Sequence, residues 1–299
     1  MNNRLSITAD YYVKNTSDLL NTVGLPASSG YTTTIRNIGK VQNSGFEFGV
    51  DARVFTGSDF NWNIFANAAF NRNEVKELAG GEDLLTNSVG NINLNDNVGI
   101  LREGRPIGQF YGWLEDGYDE NGFIKLQDLD GDGSITADDK TFIGQSYPAL
   151  IFGFNSSMSY QDFQFTFFFQ GVTGNQIFNM GAATAIDYGR GLNAPRGIFT
   201  DHWTPSNTNA KYPKITKDVS QEASDRYVED GSYLRLKNIE LAYSLPVENL
   251  KGFRQLQVYV SGQNLLTVTS YSWWDPEVRS KGAGGLRRGI DQYTYPISK

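Results

Sequence analysis

The chain of 299 residues carries 26 Lys and Arg against 33 Asp and Glu, a formal charge of −7, and no cysteine. This balance offers no basic stripe for phosphates and argues against nucleic acid as a partner, while the missing thiols exclude disulfides, thiolate metal sites and cysteine nucleophiles. Mean hydropathy is −0.41, yet 13% of the residues are aromatic and 32 are glycine, a mixture that opposes disorder and favours strands joined by glycine-containing turns. No stretch approaches the roughly 18 apolar residues of a transmembrane helix, and the opening MNNRLSITADYY has no apolar signal core. A membrane role therefore requires strands or a surface contact. At about 150 residues per domain the length suggests two units, although all-β architectures often use such a length as one.

Alternation with period 2 predicts seven strands in chain order. The first sets Leu5, Ile7, Ala9, Tyr11 and Val13 against Ser6, Thr8, Asp10, Tyr12 and Lys14. The second, over 45–55, places Phe46, Phe48, Val50, Ala52 and Val54 on one side, and the third, over 61–71, places Trp62, Ile64, Ala66, Ala68 and Phe70, with Phe65 as an intruder. Leu150, Phe152, Phe154, Ser156 and Met158 define the fourth, and Phe163, Phe165, Phe167 and Phe169 the fifth. The sixth, with Ile239, Leu241, Tyr243 and Leu245, follows Leu234 and Leu236 of opposite parity, so a bulge is expected near Lys237. Leu256, Val258 and Val260 form the seventh.

Short and long connections alternate. Turns near Ser58, Gln161 and Asn249 are short, whereas the other three connections need about 30, 77 and 61 residues. Outer-membrane barrels have this arrangement, with short periplasmic turns, long extracellular loops, and strands that are apolar outward and polar inward. The expected fold is all-β, an antiparallel transmembrane β-barrel with long extracellular loops. Seven strands cannot close such a barrel, so the chain is expected to be an incomplete portion of one.

Within the second long loop, an excursion over 116–148 contains a calcium-loop pattern. Asp128, Asp130 and Asp132 stand at positions 1, 3 and 5, Gly133 at the sharp turn, Ser134 at position 7 through its carbonyl, Thr136 at position 9 and Asp139 at position 12. Calcium needs six to eight oxygens, and three carboxylates so close in sequence call for a counter-charge. The competing reading is an acidic, glycine-rich turn that holds no ion.

Other signals are weaker. His202 is the only histidine, and no nucleophile elbow accompanies it. No pair of carboxylates stands out for glycoside hydrolysis. Gly282, Gly284 and Gly285 do not lead from a strand into a helix, which opposes a phosphate loop. Tyr111, Trp113, Tyr118, Trp203, Trp273 and Trp274 are candidate contacts for a sugar or partner, with internal packing of the loops as the alternative.

Several segments together resemble the SusC/RagA family of TonB-dependent outer-membrane transporters of Bacteroidetes. They are Asn43-Ser-Gly-Phe-Glu-Phe, Gly104-Arg-Pro-Ile-Gly-Gln-Phe-Tyr-Gly-Trp, Asp128-Leu-Asp-Gly-Asp-Gly-Ser-Ile with Ile143-Gly144, Glu229-Asp-Gly-Ser-Tyr-Leu-Arg-Leu-Lys-Asn-Ile, Asn264-Leu265 and Trp274-Asp-Pro-Glu277. The resemblance implies a 22-stranded barrel in outer-membrane lipid, a plug that engages TonB, and a SusD-like surface lipoprotein acting with it on glycans or peptides. It implies that residues 1–299 are the C-terminal part of such a receptor, with the plug and final strand absent, and that no residue is catalytic. The alternatives are a secreted, calcium-stabilised β-sandwich that binds carbohydrate or mediates adhesion, and an extracellular glycoside hydrolase.

Overall fold

The computed structural model describes residues 4–24, 30, 33–37, 39–90, 94–186, 193–216, 221–247, 252–278 and 288–292. The chain starts as β1 (Leu5–Thr16), makes a small hairpin of β2 (Leu20–Gly24) and β3 (Thr33–Asn37), and continues as β4 (Lys40–Thr56) and β5 (Phe60–Glu77). A long excursion follows with β6 (Leu84–Gly90), β7 (Asn95–Leu101), β8 (Gln109–Gly112), β9 (Glu115–Tyr118), β10 (Ile124–Leu126) and β11 (Thr141–Gln145). After β12 (Leu150–Tyr160) and β13 (Phe163–Thr173), a second long excursion carries β14 (Gln176–Asn179), α1 (Met180–Ala185), α2 (Arg196–Thr200) and β15 (Val228–Asp230). Then come β16 (Tyr233–Leu245), β17 (Leu256–Thr269) and β18 (Ile290–Asp291).

Seven of these strands form one antiparallel sheet in the order β1-β4-β5-β12-β13-β16-β17, so consecutive wall strands are always neighbours. Among the described residues β1 and β17 remain its edges, and the wall is open. No described helix is long and apolar enough to cross a membrane.

Register explains the alternation. One row runs Ile7, Val50, Ala66, Phe154, Phe169, Leu236, Leu266 across all seven strands, entirely apolar. The row on the opposite face runs Thr8, Gly49, Asn67, Gly153, Gln170, Arg235, Thr267, entirely polar or glycine. Such a division suits lipid outside and a wet lumen inside. Between the outward rows of Phe60 and Phe70 the strand rises about 25 Å along the membrane normal at the usual tilt, the height of a barrel's apolar band. Phe60, Tyr160, Phe163 and Tyr243 form an aromatic row at its lower border.

The parity switch in β16 is a bulge at Lys237, which has no register partner on β13 or β17. It returns Leu234 and Leu236 to the outward face shared by Ile239 and Leu241. Several observed strands are longer than the alternation predicts: β4 begins at Lys40, β5 continues to Glu77, β13 to Thr173 and β17 to Thr269. Above the lipid band the pattern inverts: Arg72, Glu74 and Lys76 continue the outward parity of β5, while Val75 packs inward with Val41, Leu78 and Leu101.

All the long excursions leave the wall at one end. At the other end Gly57–Asp59 joins β4 to β5, and Gln161 with Asp162 joins β12 to β13. Gln161 takes φ 51° there, and its N–H donates to Asp59 O at 2.8 Å, which ties the two turns together. The third connection is described only in part, and Asn249 lies outside the described residues.

The largest buried core lies in the loops. Phe110 of the excursion between β5 and β12, Phe178, Met180, Ala223 and Tyr227 of the excursion between β13 and β16, and Ile290 near the C-terminus pack together. Phe178 is central, with ring centroids 5.9 Å from Phe110 and 6.1 Å from Tyr227. Asn179 caps α1 by accepting from Ala182 N at 2.9 Å, so the helix starts inside this core. Gly112 lets the excursions meet, because a Cβ there would lie 2.0 Å from Ala223 O. Trp113 N–H donates to the same carbonyl at 2.8 Å.

Candidate functional site

The acidic loop runs from the end of β10 to a short 3-10 turn over Ala137–Asp139, immediately before β11. Its aspartates organise the backbone. Asp128 accepts from Gly131 N at 2.7 Å and Gly133 N at 2.8 Å, Asp130 from Asp132 N at 3.0 Å, and Asp132 from Ser134 N at 2.7 Å. Gly131 and Gly133 take φ 76° and 85°, the left-handed conformation that these tight turns require. Asp139 is buried and uses both oxygens, one accepting from Leu129 N at 2.7 Å and the other from Thr136 N at 2.8 Å. The Thr136 Oγ1 accepts from Asp138 N at 3.3 Å, completing the cap of the turn.

Carboxylate oxygens of Asp128, Asp130 and Asp139 all lie within 4.8 Å of one another. The structure thus brings together three of the six residues picked out by spacing. Asp132 and Ser134 shape the loop beside them. The N–H of Asp132 favours the charged form of Asp130, but desolvation and the charges of Asp132, Asp139 and Asp128 together raise its pKa above the usual carboxylate range. Hydrogen bonds from the Thr136, Leu129 and Asp130 backbones hold Asp139 below that range against partial desolvation. Three hard oxygen donors with crowded negative charge and spare lone pairs fit a divalent cation. The loop is also anchored, since Lys140 pairs with Asp96 at 2.5 Å and lies 5.3 Å from the Trp113 ring centroid.

The six candidate aromatics do not form one platform. Trp113 and Trp203 are buried, and Tyr111 stacks edge-on against Phe142 at 5.9 Å. Tyr118 donates to Lys211 O at 3.0 Å and joins Trp203, Asp119, Glu120, Pro205 and Thr208 around a cleft of about 440 Å³. Trp273 meets Trp274 edge-on at 6.4 Å, and Trp274 remains 70% exposed. His202 Nδ1 lies 3.0 Å from Ile198 O, a structural contact. Gly282, Gly284 and Gly285 lie outside the described residues.

Two ion-pair networks escaped the residue-by-residue reading. Arg226 donates to both oxygens of Glu115, through Nε at 2.9 and 2.7 Å, while its Nη1 donates to Lys211 O at 2.9 Å. This joins the two long excursions. Arg235 is 1% exposed and donates to Thr267 at 2.9 Å, Glu277 at 2.7 Å and Asp275 at 2.7 Å. It stands on the polar face of β16, so residues 275–277 fold back over the inner side of the wall. The available signal was a lone arginine between Leu234 and Leu236, on the polar parity of a strand.

A family model described as "TonB dependent receptor-like, beta-barrel" matches residues 1–265. TonB-dependent receptor P3 of Formosa agariphila is 36% identical over 316 residues, which cover 98% of this chain and 31% of that receptor. TonB-dependent receptor SusC of Bacteroides thetaiotaomicron is 28% identical over 312 residues, covering 99% of this chain and 29% of SusC. The solved structure of the RagAB peptide importer in its closed-closed state aligns with TM-score 0.80 at 27% identity, over 99% of this chain and 32% of that one. The chain therefore spans less than a third of the length of each of these relatives. By sequence and by backbone alike, it belongs to the TonB dependent receptor-like β-barrel family, whose SusC and RagA relatives are outer-membrane barrels.

Proposed function

We propose that these residues form part of an outer-membrane, TonB-dependent importer of glycans or peptides that works with a SusD-like surface lipoprotein. The observation that carries this reading is the asymmetry of the wall: an apolar outer face, with the excursions after β5 and β13 gathered at one rim into a packed assembly. The RagAB relative, described as a peptide importer, supports the peptide arm. Energy would come from TonB acting on a plug, and the wall would hold the loops over the lumen. The test is uptake by cells expressing the full-length receptor, with and without TonB and the lipoprotein, using labelled oligosaccharide and peptide pools. TonB-dependent accumulation that also needs the lipoprotein is expected; uptake independent of TonB would refute the reading.

We further infer that Asp128, Asp130 and Asp139 bind calcium, with Asp132, Ser134 and Thr136 completing or shaping the loop. The closeness of the three carboxylates supports this, and the many flexible oxygens favour calcium over magnesium. The ion would neutralise the crowded aspartates and order the 116–148 excursion. In the folded receptor, chelator should speed protease cleavage within that excursion, and Asp128→Asn should abolish the difference. Cleavage that ignores chelator would leave the loop as an acidic turn.

A further inference from the structure

On the outward face, where the apolar rows end, Tyr11, Ser44, Phe46, Phe70, Arg72 and Ala149 line a groove of about 360 Å³. Register places Tyr11, Phe46 and Phe70 on one row and Val13, Ser44 and Arg72 on the next row toward the loops. The aromatic row thus sits directly beneath a polar one, at the border between hydrocarbon and headgroup depth. Nearby cations are already neutralised: Lys40 pairs with Glu77 at 2.6 Å and Lys76 with Glu74 at 2.8 Å. Arg72 makes no direct ion pair among the described residues, although its charge acts on Glu74, and the Tyr11 and Ser44 hydroxyls line the groove beside it.

We propose that this groove binds the phosphate-bearing headgroup of an outer-leaflet lipid. Its position selects the occupant. A groove on the outward face of a membrane wall meets lipid, its aromatic floor suits acyl carbon, and a guanidinium with no carboxylate hydrogen-bonded to it offers a planar fork that matches phosphate oxygens. The Tyr11 and Ser44 hydroxyls supply further donors around the same headgroup. A bound lipid would brace β1, β4 and β5 just below the loop assembly. The proposal rests on reading the wall as transmembrane.

The experiment uses the full-length receptor in a neutral detergent, incubated with phosphatidic acid, phosphatidylcholine or inorganic phosphate, with retained lipid counted by native mass spectrometry. The receptor should retain phosphatidic acid in preference to phosphatidylcholine. Arg72→Gln should lower that retention about tenfold, whereas Lys76→Gln, at a cation already paired, should not. Equal retention of both lipids, or indifference to Arg72→Gln, would overturn the proposal. Displacement of the lipid by equimolar inorganic phosphate would assign the site to the free anion and overturn the lipid assignment. Heat-modifiable gel migration confirms that each variant is folded. A receptor that fails to insert into liposomes would sink the membrane reading itself, an outcome distinct from an inserted receptor that ignores phosphatidic acid.

Discussion

The wall and the loop assembly above it are stabilised in opposite ways. In the wall, large apolar side chains such as Ile7, Phe48 and Val260 stand exposed to the surroundings, and the backbone is paired strand to strand through long registers interrupted only at bulges. In the loops, Phe110, Phe178, Met180 and Ile198 are buried as in a soluble protein, and Arg226 ties one excursion to the other. Lipid lets the wall leave its apolar face outward, because hydrocarbon replaces a protein core while the ladder satisfies the backbone polar groups between paired strands. Water around the loops allows no such arrangement, so they must collapse on themselves. The two regions meet at Arg235, which reaches from the wall to Asp275 and Glu277.

Breaking that junction should have the largest effect. Arg235→Gln would leave Asp275 against the inner wall without a cation and Glu277 with Lys237 alone, 3.2 Å away, at a cost of about 3 kcal/mol. Protease should then cut within 271–278 in the folded receptor; continued resistance would mean that the clamp is redundant. Phe178→Ala tests the loop core by itself. Truncating this fully buried ring should cost about 3–5 kcal/mol at most, and it should loosen the loops while barrel migration on unheated gels stays the same.

The wall's two faces can be separated by charge. Phe167 lies on a central outward row with Ser156 and Ile64, so Phe167→Arg should destabilise the receptor in lipid by about 2–4 kcal/mol. Phe165→Arg, one outward position nearer the lower border, should cost less. Thr166→Arg, facing Ser157 and Glu240 on the inner side, should cost least of the three. Equal penalties in urea titrations of liposome-inserted protein would contradict the assignment of faces. The smallest effect is expected at the rim, where Lys40 and Glu77 are both more than half exposed. A double-mutant cycle there should give only a weak coupling that fades with salt.

Much of the wall was legible in the residues. Strand pairing imposes a period of two, lipid and lumen impose opposite polarities on it, and even the Lys237 bulge announced itself as a change of parity. The upper ends of β4 and β5 were harder to see, because Arg72, Glu74 and Lys76 continue outward above the membrane and the pattern inverts around Val75. At the acidic loop, spacing singled out the aspartates, but it did not distinguish those whose oxygens converge from those that only shape the turn. Asp139 joins the cluster because the backbone N–H groups of Leu129, Asp130 and Thr136 hold it there.

By itself, then, the sequence determined the all-β class, the seven wall strands, their short and long connections and the position of the acidic loop, since each follows from local periodicity or spacing. Tertiary structure decided the rest. The loop core joins Phe110, Phe178 and Ile290, and the clamp joins Arg235 to Asp275 and Glu277. These partners lie far apart along the chain and share no period. Only closure of the long excursions onto one rim brings them within contact, because burial and ion pairing act on distance in space and leave no regular trace in order along the chain.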